Sequence, residues 1–181
     1  PQLRRWEQEL RRLPHYVGQV LERHTAISKL AGTLQTASSI FFIGRNLSYP
    51  VALEGALKLK EISYLHAEGY PAGELKHGPL ALLSPETPVV AIMNPDHTHS
   101  KLVSNIEEVA ARKAPLLLVA QEGDADAQRL SPHVITVPAT DPVLLPFTAG
   151  VALQLLAYHV ADALGCEIDK PRNLAKSVTV E

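Results

Sequence analysis

Cysteine is nearly absent. The 181 residues hold one, Cys166, which cannot close an internal disulfide or supply a four-cysteine zinc site, and which fits a reducing, cytoplasmic compartment. Excess charge of either sign is missing too. The net charge is −2, so no bulk basic field points to nucleic acid or to an anionic membrane. There is no initiator Met and no apolar signal core, and a chain that opens on Pro1 is expected to be a domain cut from a longer polypeptide. Long uninterrupted apolar runs are also lacking. The best candidate, residues 143–164, contains Pro146, Gln154, His159 and Asp162, so a buried core helix is expected there and no membrane span. Internal repeats and low-complexity tracts are absent. No G-x-x-x-x-G-K-[ST] and no H-E-x-x-H occurs, and His97-Thr98-His99 is only an i, i+2 pair in a loop, so neither a nucleotide cradle of that kind nor a metal site is expected.

What remains is an ordinary globular balance, 46% apolar and 20% charged, long enough for one domain with extra elements. Leu3, Trp6, Leu10 and Leu13 recur at helical spacing. Pro14 is predicted to end that run, and a second begins near His15 with Val17, Val20, Leu21, Ile27, Leu30 and Leu34. The texture then changes. Ser39-Ile40-Phe41-Phe42-Ile43, Val89-Val90-Ala91-Ile92, Leu116-Leu117-Leu118-Val119 and Val134-Ile135-Thr136-Val137 are short apolar runs of strand-forming residues. Helical patterns lie at residues 49–65, 100–112 and 143–164. Near-continuous apolar strands alternating with helices predict a mainly parallel sheet covered on both faces. The expected fold is therefore a three-layer α-β-α sandwich, doubly wound. A helical lead-in covers residues 1–35, the domain proper 36–165, and an extended tail 166–181.

Ligands of such sheets sit beyond the carboxyl ends of the strands. The turn Gly44-Arg45-Asn46-Leu47-Ser48 lies at such a place. It can be a plain strand-to-helix turn or an anion site at a helix N-terminus, although it lacks the G-x-G-x-x-G pattern. The next helix carries Glu54, Lys58 and Glu61 at i, i+4 and i+7, within a stripe roughly 60° wide at about 100° per residue. Such a stripe can be a solvated ion-pair ladder. Its apolar neighbours Val51, Leu57 and Leu65, with Ala52, Ala56 and Leu59 behind, favour partial desolvation, which can raise a Glu pKa toward the range of a general base. His77, in Gly73-Glu74-Leu75-Lys76-His77-Gly78-Pro79, is either a surface turn residue or a titrating group held in constrained backbone. Lys176, near the C-terminus, belongs either to a frayed end or to a segment that docks and offers its amine to a carbonyl.

Three segments together resemble a known family. They are Leu53-Glu54-Gly55-Ala56-Leu57-Lys58-Leu59-Lys60-Glu61-Ile62-Ser63-Tyr64, then Gly73-Glu74-Leu75-Lys76-His77-Gly78-Pro79-Leu80-Ala81-Leu82, then Pro171-Arg172-Asn173-Leu174-Ala175-Lys176-Ser177-Val178-Thr179-Val180-Glu181. Their order and spacing closely resemble the isomerase portion of the glutamine–fructose-6-phosphate aminotransferases, from about Thr36 to the end. The resemblance implies a sugar isomerase (SIS) domain, the second of two, in an enzyme that makes glucosamine 6-phosphate from fructose 6-phosphate and glutamine-derived ammonia without a cofactor. It further implies Glu61 as the base moving a proton between sugar C1 and C2, Lys58 assisting proton traffic between the neighbouring oxygens, and Glu54 lining the site. His77 matches the ring-opening histidine, which in this family serves the neighbouring subunit of a homodimer. Lys176 matches the lysine associated with the open-chain carbonyl, and Ala175 a residue contacting the sugar. These residues contain neither the glutaminase domain nor the first SIS domain of the family, whose Ser/Thr-rich loop holds the phosphate, so the piece alone is not expected to run the full reaction. The alternative is a non-catalytic sugar-phosphate-binding SIS module, a sensor or a dimerisation unit. A sensor would carry a DNA-binding helix-turn-helix ahead of the domain and would have no need of the tail lysine.

Overall fold

The computed structural model describes residues 2–172. The helical lead-in forms α1 (Gln2–Glu22) and α2 (His24–Ala31). It is followed by β1 (Ser39–Gly44), α3 (Ser48–Ser63), β2 (His66–Pro71) and two 3-10 turns, Ala72–His77 and Pro79–Leu82. The rest alternates as β3 (Val89–Ile92), α4 (His99–Ala110), β4 (Leu116–Gln121), α5 (Ala125–Leu130), β5 (Val134–Val137) and α6 (Leu145–Ala163). All strand pairs are parallel, in the order β2-β1-β3-β4-β5. The chain steps from β1 outward to β2 and then returns to the other side of β1 for β3. The topological switch point is therefore between β1 and β3, where crevices of this fold class open.

Strand parity divides the core into two layers. Ile40, Phe42, Val90, Ile92, Leu117, Val119, Ile135 and Val137 face α3, α6 and the lead-in. Phe41, Ile43, Val89, Ala91, Leu116, Leu118 and Ala120 face α4 and α5. A strand buried on both faces has no polar alternation to keep, which is why these runs read as continuously apolar. The three-layer, doubly wound architecture is the expected one. Val20, Ile27, Ala31 and Leu34 of the lead-in share the α3–α6 core, so these helices pack as part of the domain.

Two expectations need correction. Pro14 does not end a helix: it lies inside an unbroken α1. The carbonyl left without a donor belongs to Leu10, a residue 49% exposed, where water can take the place of the lost bond. The sheet also has a strand that the apolar runs do not announce. β2 reads His-Ala-Glu-Gly-Tyr-Pro and pairs only with β1. An edge strand leaves one row of backbone N–H and C=O groups unpaired, and charge, Gly and Pro there discourage pairing with other chains.

The helix α3 approaches the sheet closely because residue 55 is Gly. A Cβ at Gly55 would sit 2.7 Å from Leu153 Cδ1 and 3.1 Å from the Phe42 ring. This glycine sets how deeply α3 nests between β1 and α6, and so where its outer face stands. Among the described residues, no helix is long and apolar enough to cross a membrane.

Candidate active site

The stripe forms on the outer face of α3. Lys58 Nζ donates to Glu61 Oε2 at 2.8 Å and lies 3.8 Å from Glu54 Oε1. The side chains are 29% exposed for Glu61, 34% for Lys58 and 47% for Glu54, so the stripe is half-shielded, with Glu61 the deepest. On its flanks Val51 is buried, while Leu53 and Leu57 remain exposed. The hydrogen bond to Glu61 raises the Lys58 pKa above the ordinary lysine value, against a smaller downward effect of burial. Lys58 is thus a cation and proton donor at neutral pH, and it fixes the direction of the Glu61 carboxylate. At this exposure the pair adds little to stability. Its interest is chemical.

The helix ends at Tyr64, whose φ of 62° is left-handed and whose N–H bonds the Lys60 carbonyl. The chain leaving α6 returns to this point. Cys166 Sγ lies 3.8 Å from the Ser63 carbonyl, the Arg172 backbone N–H donates to Tyr64 Oη at 2.9 Å, and the Arg172 guanidinium stands 4.2 Å above the Tyr64 ring. Nothing in the sequence pattern signals this pairing of residues 108 positions apart. Lys176 and Ala175 lie outside the described residues.

His77 stands elsewhere. It ends the first 3-10 turn, beyond the carboxyl end of β2, and Gly78 follows it with φ 142°. Its side chain is 74% exposed, with Glu74 at 3.9 Å. Glu61 precedes the amino end of β2. A six-residue strand, about 20 Å long, therefore separates the two along the sheet, and among the described residues no hydrogen bond or ion pair joins His77 to the stripe.

The turn after β1 has the features of a structural turn. Its Ser48 and Tyr49 N–H groups donate to the Arg45 and Asn46 carbonyls, which takes up donors an anion would need. Arg45 donates to Asn105 Oδ1 at 2.7 Å, and Asn46 to Asp96 Oδ2 at 3.1 Å. Asp96 also accepts from Thr98, and Asn94 donates to the Pro142 carbonyl. The switch point is thus laced by the chain's own side chains. A cavity of about 260 Å³ remains between Arg45, Tyr49, Gly73 and Glu74. Of the histidines in the 97–99 loop, His99 is the engaged one. Its Nε2 lies 3.3 Å from Asp126 and 4.0 Å from Asp124. Those carboxylates also serve Arg129 and the N–H of Ala127, so this potential ligand set already has protein partners.

With this geometry in place, comparison with known proteins is decisive for the family. The model of the SIS domain matches residues 33–162. The chain belongs to the SIS domain family. Over 173 residues, 96% of its length, this SIS chain is 51% identical to the glutamine–fructose-6-phosphate aminotransferase [isomerizing] of Chlorobaculum tepidum. It is 54% identical, over the same span, to the protein of that name from Methanosarcina acetivorans. It spans 28% of the length of each. Among solved structures, the C-terminal domain of glucosamine-fructose-6-phosphate aminotransferase from Francisella tularensis matches with a TM-score of 0.87 at 40% identity, covering 94% of this chain and 48% of that one. The SIS chain is thus similar to aminotransferase sequences along nearly all of its own length, from the lead-in onward.

Proposed function

We propose that this chain is the C-terminal isomerase portion of a glutamine–fructose-6-phosphate aminotransferase, acting in the cytoplasm on fructose 6-phosphate and glutamine-derived ammonia to give glucosamine 6-phosphate. The observation that carries the reading is the half-buried Glu61–Lys58 pair on α3, in a chain about half identical to relatives of that name. Moving a proton between C1 and C2 of an open-chain sugar phosphate needs a positioned carboxylate and a nearby cation for the oxyanion of the enediolate. Glu61 takes the proton from one carbon and returns it to the other. Lys58, held protonated by its partner, donates toward the neighbouring oxygens, and Glu54 lines the same wall.

His77 is the ring-opening acid–base group of this reading. Its distance from Glu61 along the sheet supports a homodimer in which each His77 serves the neighbouring chain. Lys176 attends the open-chain carbonyl, and Ala175 touches the sugar. The glutaminase portion and a first SIS domain belong to the rest of such an enzyme, and the phosphate is held there. Chemistry of this kind runs on protein groups, so the reading assigns no cofactor.

The test is Glu61→Gln in the full-length enzyme carrying this segment. C1–C2 proton exchange in fructose 6-phosphate should fall at least about a hundredfold, the usual worth of a general base, while glutamine hydrolysis persists. Exchange at the wild-type rate would remove Glu61 from the base role.

A further inference from the structure

A histidine that serves a neighbouring chain has to be aimed by its own backbone. We infer that Glu108 on α4 is a positioning residue: it holds Lys76 and so fixes the turn from which His77 projects. This rests on the role given to His77 above.

The first 3-10 turn, Ala72–His77, has poorer hydrogen-bond geometry than an α-helix, so side chains decide where it sits. Ala72 and Leu75 are fully buried in the core layer on the α4 side. Two polar ties lie on either side of Leu75. At Gly73 the Arg45 guanidinium packs against the backbone: an added Cβ would come within 3.0 Å of Nη1 and 3.2 Å of Nη2. Arg45 is itself fastened to Asn105 Oδ1 at 2.7 Å. On the other side, Lys76 Nζ meets Glu108 Oε1 at 2.7 Å. Asn105 and Glu108 are three positions apart on α4 and share a face, so one helix surface secures the turn at two points. His77 follows Lys76 directly, and its side chain stays exposed.

Stability alone does not account for Glu108. The Lys76 hydrogen bond lowers its pKa against the opposing effect of burial, so it is a carboxylate at neutral pH. Its Oε2 is nevertheless buried without a hydrogen-bond partner among the described residues, which is costly for a charged group. The ion pair returns little, because the Lys76 side chain is largely exposed. What the pair does supply is direction, through a short charge-assisted bond one residue from His77. Neighbouring Cα atoms are about 3.8 Å apart, so play at Lys76 passes almost undiminished to His77.

The experiment compares two sugars in the full-length enzyme carrying this segment. Fructose 6-phosphate arrives as a ring. The analogue 5-deoxyfructose 6-phosphate lacks the hydroxyl that closes the furanose, so it needs no ring opening. C1–C2 proton exchange is followed with each. A displacement of about 1 Å can cost a step about a hundredfold, and half of that predicts about tenfold. Glu108→Ala should therefore slow exchange about tenfold with fructose 6-phosphate and leave the acyclic sugar unaffected. Glu108→Gln, which keeps an acceptor for Lys76, should fall between. Lys76→Met should match Glu108→Ala, and the double variant should be no slower than either. Glu107→Ala, which breaks a pair with Arg129 on the same helix, should change neither rate. A wild-type rate on fructose 6-phosphate in Glu108→Ala, or equal slowing on both sugars, overturns the inference. His77→Ala separates the two claims, because it should show the same split with a loss of at least about a hundredfold. If it shows none, the ring-opening role of His77 falls. Amide hydrogen exchange over residues 72–82 then decides the positioning alone: faster in Glu108→Ala and Lys76→Met than in Glu107→Ala upholds it, and equal protection overturns it.

Discussion

Gly55 offers the sharpest check on the packing that positions the stripe. Replacing it with Ala brings a methyl to 2.7 Å from Leu153 Cδ1 and 3.1 Å from two Phe42 ring atoms, where carbon pairs prefer about 3.5–4.0 Å. Leu153 and Phe42 are 2% and 1% exposed, so neither has open space to retreat into. Overpacking of this kind costs about 1–3 kcal/mol. Against it stands the gain of about 1 kcal/mol for exchanging Gly for Ala inside a helix. The net loss is centred on about 1 kcal/mol and reaches at most about 2 kcal/mol, which at about 2 kcal/mol per molar urea lowers the unfolding midpoint by roughly 0.5 M and by no more than about 1 M. Gly150 supplies the control: it is also inside a helix, α6, but an added Cβ there meets nothing within 4 Å. Gly150→Ala should therefore keep the propensity gain and raise the midpoint. Urea unfolding followed by far-ultraviolet circular dichroism reads both. If Gly55→Ala matches or exceeds the wild type, the close approach of α3 to β1 and α6 is not what holds the stripe in place.

Two further substitutions probe how the lead-in is attached. Arg23, half-buried, donates to the Thr136 carbonyl at 2.7 Å and pairs with Glu122, tying the junction of α1 and α2 to the edge strand β5. Arg23→Ala should cost about 1–2 kcal/mol in urea unfolding, and Arg23→Lys should recover little of it, because one ammonium cannot span both acceptors; full stability in either variant refutes the tie. His159, on α6, stacks on His24 of α2. Burial first, and then the charge of His24, lowers its pKa below the usual 6.5, with Asp162 acting the other way. The unfolded chain therefore binds this proton first as pH falls. The contribution to stability is complete above about pH 6.5 and is lost as pH drops toward the folded value. Between pH 7.5 and 5.5, His159→Gln should lose less stability than the wild type, and equal losses would remove His159 as the cause.

The fold was readable because burial on both faces leaves a simple mark. β1, β3 and β4 are apolar runs buried on both faces, and β5, at the sheet edge, is a mostly apolar run buried at alternate residues. β2 escaped because an edge strand may carry His66, Glu68 and Pro71 without penalty, and such a sequence has no period-2 or apolar signal to find. Pro14 misled for a related reason. The rule that proline ends helices assumes that the freed carbonyl is costly, and at a half-exposed Leu10 it is not. Spacing alone placed Glu54, Lys58 and Glu61 on one face. It could not say whether that face was wet or dry, because the flanking leucines divide between the core and solvent.

The other residues proposed for the site were legible only as motif, and the reason is geometrical. His77 and Glu61 lie at opposite ends of β2, so no local spacing rule could join them, and a single chain does not bring them together. The same holds for Tyr64 and Arg172, which meet only because α6 returns the chain to the end of α3. Periodicity reports which face a residue shares with its near neighbours on one helix or strand. It carries no information about groups delivered from a neighbouring chain or from a segment after the last helix. Of the proposed site, periodicity alone therefore shows the α3 stripe. The roles proposed for His77 and Lys176 rest instead on the likeness of their segments to the family's motifs.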